Sequence, residues 1–177
     1  MKKYLLSALL SCTFIVFTTT YIMAQDNKTV KPEAITNFSK FVGNWNADAN
    51  LTMDGKTYNL NYLVNGKLTA DGNGLYVDES FSNPDLGTMI GENLVGYNPN
   101  DKKVHWFSVD NMGTAHEHIG DWINPNLFLM EHSEMQNGKK YIEKISMEFK
   151  NANTLEFNLV ATLDGKEVQK GTGTFKK

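Results

Sequence analysis

Turn signals recur along this 177-residue chain at intervals that suit short β-strands. Asp-Gly or Asn-Gly pairs stand at residues 54–55, 137–138 and 164–165, between segments in which apolar and polar residues alternate. Such pairs are the strongest short-range signal for a two-residue hairpin. Strands that follow one another at about 8 to 12 residues favour an all-β sandwich or barrel.

The alternation predicts about ten strands, with no room for a second long helix. They cover residues 45–53, 56–68, 75–81, 89–97, 102–110, 114–122, 127–135, 139–149 and 154–163, and a last strand ends near Phe175. Each strand can pair with its sequence neighbour, and closing such a meander removes the free edges of the sheet. We therefore predict an all-β, up-and-down antiparallel β-barrel rather than a sandwich. A barrel of ~8 to 10 strands is wide enough to hold one small ligand.

Two local features modify this pattern. Residues 34–42 place Ile35, Phe38 and Phe41 at helical spacing, but the segment is too short to be stable alone. We predict a short N-terminal helix of one or two turns that acts as a plug. Asn65-Gly66, inside the second strand, indicates a bulge or a second turn.

The first 24 residues are typical of a secretory signal peptide. Lys2 and Lys3 precede an apolar run at residues 4–17, and Ala24 is a small residue before Gln25. The run contains Ser, Thr and Cys and is shorter than the ~20 apolar residues that span a bilayer, which favours a cleaved signal over a membrane anchor. We therefore predict no stable membrane span after the signal is removed. We predict a signal at residues 1–24, a flexible lead-in at 25–33 and one barrel domain at 34–177.

Cys12 offers an alternative, because Leu9, Leu10 and Ser11 before it resemble a lipoprotein box. The apolar run continues to Phe17, however, whereas polar residues normally follow a lipidated Cys. We predict an exported protein, periplasmic or secreted, with a lipoprotein anchored at Cys12 as the alternative. Removal of the signal leaves no Cys, so the core must stabilise the fold without disulfides.

Composition argues against nucleic acid as a partner. The chain has 20 acidic residues and 17 basic ones, and every basic residue is Lys. Bidentate recognition of phosphate or guanine depends on Arg, which is absent from the sequence.

Gly43-Asn44-Trp45, at the start of the first strand, is similar to the Gly-x-Trp entry of lipocalin-like (calycin) barrels. The segment from 96 to 120 carries a more specific pattern: a Gly-Tyr-Asn turn at 96–98, a Lys pair at 102–103, Trp106 with Asp110, and Gly120. It resembles the bacterial DUF1579 family of lipocalin-like proteins, although Asn98 stands where that family commonly has Asp. The resemblance extends from about Phe41 to the C-terminus. It implies a barrel fold and small-molecule binding, and it does not imply a reaction.

His116-Glu117-His118 is the most suggestive local pattern for a site. Residues two apart in a strand point to the same side, with Cα atoms about 7 Å apart. A three-residue loop at 111–113 with Gly113 left-handed would set Ser108 opposite His116 and Trp106 opposite His118. A slip by one residue would instead set His105 and Phe107 beside the histidines.

The next turn, at residues 124–126, leaves open whether His132 or Glu131 lies next to His118. The histidines can also be explained as solvent-facing or as hydrogen-bonded barrel residues, and the Trp residues as packing residues. We predict a ligand-binding face and assign no catalytic residue, no metal ligand and no cofactor. The predicted ligand-binding residues are Trp106, Ser108, His116, His118, Trp122 and His132.

Enzyme signatures are mostly missing from the sequence. After the predicted signal there is no Cys nucleophile, and the chain has no Gly-x-Ser-x-Gly elbow and no Gly-rich phosphate loop. We therefore predict a binding protein, not an enzyme, whose partner is a small apolar or amphipathic molecule held in the barrel. The alternatives are a metal- or haem-dependent protein or a hydrolase that uses His116 and His118, and an interaction module of the cell envelope that uses the loop at 82–88.

Overall fold

A computed structural model describes residues 32–177 of the chain. The predicted signal at 1–24, with the lipoprotein alternative at Cys12, and residues 25–31 of the lead-in predicted at 25–33 lie outside the described residues. Residues Lys31–Lys177 group as one unit.

In the part of the chain from residue 32 onward, ten strands follow a short helical segment. The α-helix α1 spans Glu33–Thr36 and continues into a 3-10 turn at Asn37–Phe41. The strands are β1 (Gly43–Met53), β2 (Lys56–Thr69), β3 (Gly74–Asn83), β4 (Gly87–Asn98), β5 (Lys103–Asp110), β6 (Ala115–Asn124), β7 (Leu127–Gln136), β8 (Lys139–Asn151), β9 (Thr154–Leu163) and β10 (Lys166–Lys176). A second 3-10 turn, Ala70–Gly72, joins β2 to β3. No helix in the described residues is both long enough and apolar enough to cross a membrane.

The strands form a closed antiparallel barrel in which each pairs with its sequence neighbours, and β1 pairs with β10 to complete the ring. The prediction of an up-and-down barrel of about ten strands with a short N-terminal helix is confirmed. Closure satisfies the backbone groups that the first and last strands would otherwise present as edges.

Alternation along β1 shows how the strands build the interior. Trp45, Ala47, Ala49 and Leu51 are buried, and the residues between them are exposed. Because successive side chains of a strand point to opposite faces, this pattern fixes which face of β1 looks into the barrel.

The helical segment closes one end of the barrel, as predicted. Phe38 and Phe41 are buried, and the indole Nε1 of Trp45 donates to the carbonyl oxygen of Phe41 at 2.9 Å. The expected bulge or turn at Asn65-Gly66 was wrong: β2 runs through both residues in continuous register with β1. Gly66 is needed for close approach, since a Cβ there would lie 2.3 Å from the Phe41 carbonyl oxygen.

The opposite end carries the hairpin turns that follow β1, β3, β5, β7 and β9. They include the loop between β5 and β6, where Gly113 has φ 87° and the amide of Asp110 donates to the Thr114 carbonyl at 3.0 Å. This is the predicted three-residue loop with a left-handed glycine, and it is confirmed. The loop expected at 82–88 is shorter than predicted, because β3 reaches Asn83 and β4 begins at Gly87.

Candidate functional site

A cavity of about 530 Å³ occupies the barrel interior and extends to the end opposite the plug. Its wall is mostly apolar, with a small number of polar side chains facing inward. The apolar part includes Leu51, Leu60, Val77, Phe81, Met89, Met130, Ile145, Met147, Phe157 and Leu159. The polar part includes Tyr62, Glu79, Asn93, Ser108, Asp110, His116, His118 and Glu143. Small-molecule sites in proteins commonly have this size, roughly 300–1,000 Å³, and this composition.

The pairing of β5 with β6 places four of the predicted site residues on the cavity wall. Trp106 is opposite His118 and Ser108 is opposite His116, in the register that the three-residue loop predicts. The one-residue slip was wrong. His105 instead lies on the outer side of the barrel, where its ring nitrogens contact Asp101 at 2.8 Å and Glu117 at 2.7 Å.

His118 contacts a carboxylate that comes from β8. Its Nε2 lies 2.8 Å from Oε1 of Glu143, and the other carboxylate oxygen accepts from the Tyr141 hydroxyl at 2.9 Å. His118 is only 3% exposed. Its Nδ1 is buried without a hydrogen-bond partner among residues 32–177. One ring nitrogen of His118 is therefore hydrogen-bonded to Glu143, and the other is buried without a partner in the described residues.

Burial and the neighbouring charges shift the ionisation of this cluster. Burial alone would raise the pKa of Glu143, but the hydrogen bonds from His118 and Tyr141 and the charges of the histidines outweigh it and hold the pKa below its usual value. Burial, with the charge of His118 second, lowers the pKa of His116. Burial also raises the pKa of Tyr141, and the Glu143 carboxylate adds to that rise. At neutral pH the cluster thus holds an ionised carboxylate beside a neutral His116.

A second group of hydrogen-bonded polar side chains lies on the neighbouring strands β3, β4 and β5. Asn93, 2% exposed, donates to Oε1 of Glu79 and to the Val77 carbonyl, both at 3.1 Å. Its carbonyl oxygen accepts from the Trp106 indole at 2.9 Å and from the Ser108 hydroxyl. Asn93 thereby uses both ends of its amide, which fixes the rotamers of its neighbours.

Glu79 also anchors Tyr62, whose hydroxyl donates to its Oε2. Burial, followed by the charge of Glu79, raises the pKa of Tyr62 well above its ordinary value, so the phenol stays a donor. Gly91 faces Glu79 across β3 and β4, and a Cβ there would lie 2.9 Å from its carboxylate. The glycine leaves the space in which the carboxylate turns inward.

Two predicted site residues lie outside the cavity wall within the described part of the chain. Trp122 packs at the plugged end, with ring centroids 5.8 Å from Phe41 and 5.2 Å from Phe128. His132 lies on the same face of β7 as Met130, and its ring is tilted against the His116 ring at 5.1 Å and the His118 ring at 5.7 Å between centroids. Ligand contact by these two residues stays a prediction. Of the two residues that could lie next to His118, the structure places His132 there, because Glu131 is exposed and pairs with Lys144.

The sequence prediction missed Glu143, Asn93 and the role of Glu79, although the sequence carries a signal for the two glutamates. Glu143 stands between Tyr141 and Ile145 at alternate positions of one strand, so it shares their inward face. Glu79 likewise alternates with Val77 and Phe81. A charged residue on an otherwise apolar face indicates a partnered interior group.

The arrangement favours binding over nucleophilic chemistry. The Ser108 hydroxyl donates to Asn93 rather than to a histidine, so it lacks the Ser–His contact that activates a serine nucleophile. What the wall offers is a large apolar surface with two polar groups at fixed positions, one of them with an unused nitrogen on His118.

Comparisons with known proteins support the fold. No family model matches the sequence, and no curated protein matches it. Among solved structures, the S-type phycobiliprotein lyase CPES from Guillardia theta is similar, with a TM-score of 0.53 and 12% sequence identity over 79% of this chain and 89% of that chain. At this identity the likeness shows the fold alone, a lipocalin-like barrel. The resemblance to the DUF1579 family stays a prediction.

Proposed function

We propose that this protein is exported and binds a small, partly apolar molecule in its barrel cavity. The observation that carries the proposal is the cavity of about 530 Å³, whose wall is mainly apolar and contains a few oriented polar groups. A barrel with a purely structural role would fill this volume with aliphatic side chains, since interiors normally pack without such voids.

The polar groups indicate what kind of molecule suits the site. His118 and Glu143 stand on one part of the wall, and Asn93 with Glu79 on another, while Phe157 and the methionines supply apolar surface. A ligand with an apolar body and at least one hydrogen-bonding group matches this distribution. Methionine side chains also adapt to ligands of different shape.

The proposal of export rests on the N-terminal pattern of Lys2 and Lys3, the apolar run at 4–17 and Ala24. Mass spectrometry of the protein from its own cells tests it. We expect the mature chain to begin at Gln25. A chain that retains Met1 would contradict export, and a lipidated N-terminal Cys12 would favour the lipoprotein alternative.

Ligand binding is tested first by native mass spectrometry of protein purified from its own cells, where we expect a co-purifying small molecule. Titration then uses Trp fluorescence, because Trp106 is part of the cavity wall. The ligands are a fatty acid, haem and, because the structural neighbour is a phycobiliprotein lyase, a bilin.

Leu159→Trp provides the decisive variant. Leu159 lines the cavity, and the larger ring would occupy ligand volume. Val160→Trp is the matched control, since the next residue of the same strand points to the outer face. We expect Leu159→Trp to weaken binding at least ~10-fold, about 1.4 kcal/mol, and Val160→Trp to leave it unchanged. Equal affinities for the two variants would place any binding outside the cavity and refute the proposal.

A further inference from the structure

Three side chains with metal-binding donor atoms meet on the cavity wall. One ligand atom from each of His116, His118 and Glu143 lies within 4.8 Å of the others. The barrel topology explains the cluster: His116 and His118 share one face of β6, and Glu143 faces inward from β8, two strands away. We propose that His116 and His118 bind a divalent first-row transition-metal ion of the zinc class, and that Glu143 orients His118 and balances the charge of the ion.

The hydrogen bonding of His118 prepares one of its nitrogens for this role. Carboxylate oxygens only accept hydrogen bonds, so the 2.8 Å contact requires Nε2 of His118 to donate to Glu143. In the neutral imidazole the other ring nitrogen, Nδ1, then carries a lone pair, and this buried atom has no partner among the described residues. A buried acceptor without a partner is destabilising, and a bound cation would satisfy it.

The arrangement matches a common outer shell of metal sites. A histidine that binds a metal usually donates its second ring nitrogen to a carboxylate, which orients the ring and increases its basicity. Glu143 supplies that carboxylate, and the Tyr141 hydroxyl at 2.9 Å holds it in turn. Glu143 also contributes a negative charge that balances a divalent ion in a partly apolar cavity.

His116 supplies the second imidazole. Its ring centroid is 4.9 Å from that of His118. Two imidazoles on one ion, with metal–nitrogen bonds of ~2.0–2.1 Å and tetrahedral angles, place their centroids roughly 5 Å apart. Both histidines line the cavity, so water or a donor atom of the ligand would complete the coordination. His132 is not included, because its Nδ1 contacts the Glu117 carbonyl at 2.8 Å and its Nε2 lies 3.7 Å from Glu134.

Imidazole donors select the metal class. They suit Zn²⁺, Co²⁺, Ni²⁺ and Cu²⁺, whereas Mg²⁺ and Ca²⁺ prefer sites made of oxygen donors. The inference concerns the metal alone and does not depend on the organic ligand. A protein that binds Zn²⁺ but no small molecule would contradict the proposed function and leave this site intact.

The test uses purified protein without a histidine tag, stripped with a chelator and titrated with Zn²⁺ by calorimetry and with Co²⁺ by visible absorption. We expect one ion per chain, d–d bands typical of Co²⁺ bound to nitrogen donors, and no heat from Mg²⁺. His118→Ala and His116→Ala should each weaken Zn²⁺ binding on the order of 100-fold or more, and Glu143→Gln by about 10–100-fold.

His105→Ala is the matched control, because this histidine also contacts two carboxylates but lies on the outer side of the barrel. It should bind Zn²⁺ like the unchanged protein. Circular dichroism reports whether each variant folds, and the half-buried His116 keeps the test decisive if His118→Ala does not fold. Absence of stoichiometric Zn²⁺ binding, or unchanged affinity in His116→Ala, would overturn the inference.

Discussion

Replacing Gly66 by Ala tests how closely the plug sits on the barrel wall. An ideal Cβ on Gly66 would lie 2.3 Å from the carbonyl oxygen of Phe41 and 3.0 Å from its carbonyl carbon. Both are backbone atoms, so no side-chain rotation relieves the overlap. Normal contacts between heavy atoms are about 3.5 Å, so the 3-10 turn has to move away by roughly 1 Å.

The expected cost follows from the contacts that this movement disturbs. Overpacking of a close-packed site costs about 1–3 kcal/mol. The shift also lengthens the hydrogen bond of 2.9 Å from the Trp45 indole to Phe41, a bond of the kind that contributes about 1 kcal/mol. We therefore expect Gly66→Ala to lower the free energy of unfolding by roughly 2–4 kcal/mol, a large share of the ~5–15 kcal/mol of a typical domain.

Gly96→Ala is the control. Neither glycine has a positive φ, both lie within strands, and a Cβ on Gly96 would meet no atom within 4 Å. With space available, Ala reduces the entropy of the unfolded chain and adds about 0.4–1 kcal/mol of stability. Urea unfolding followed by circular dichroism measures both variants, with equal m-values required for the comparison. If the two free energies of unfolding agree within about 0.5 kcal/mol, the close contact between Gly66 and the Phe41 carbonyl does not exist as described.

Two further predictions concern polar groups. Asn93→Leu leaves the Trp106 indole without its acceptor. We expect the free energy of unfolding, measured in urea, to fall by about 2–4 kcal/mol, and a loss below about 1 kcal/mol would contradict this. Hydrogen bonds to Glu117 and Asp101 raise the pKa of His105 in the folded protein. The stability that protonated His105 contributes is therefore complete below about pH 6.5, and it is lost as the pH rises through the higher folded-state pKa. We expect His105→Asn to remove up to about 1 kcal/mol of that pH dependence between roughly pH 6 and 9, and identical urea midpoints for both proteins across that range would contradict the assignment.

Much of the barrel could be predicted because its signals are local. Dipeptides such as Asp54-Gly55 set the hairpin turns, and alternation of inward and outward residues sets the strands between them. The register of β5 on β6 followed from one residue, Gly113, whose left-handed conformation fixes the loop length. Asn65-Gly66 misled the prediction, because the second residue of that pair is required by the Phe41 backbone, which is distant in sequence.

The candidate site was harder to predict for the same reason. His116 and His118 could be placed on one face from their spacing, but their carboxylate partner is 25 residues beyond His118. Its position depends on two successive strand pairings, and a bulge near Trp122 alters the register of the first. Asn93 carries no sequence signal for its role, because an amide in a strand reads equally well as an outward residue.

The two polar groups of the wall differ in how completely they are satisfied, and this difference locates the working part of the cavity. Around Asn93, the donors of Trp106, Ser108 and Tyr62 all find acceptors within the barrel. Such a network holds the side chains in one arrangement, and its donors need no acceptor from a ligand. Around His118, by contrast, a buried nitrogen has no partner in the described residues, and the two other such atoms, on Asn37 and Trp122, belong to residues outside the cavity wall. Since folded proteins rarely leave buried polar atoms unpaired without a functional reason, the polar end of any ligand, or a metal ion, is expected at His118.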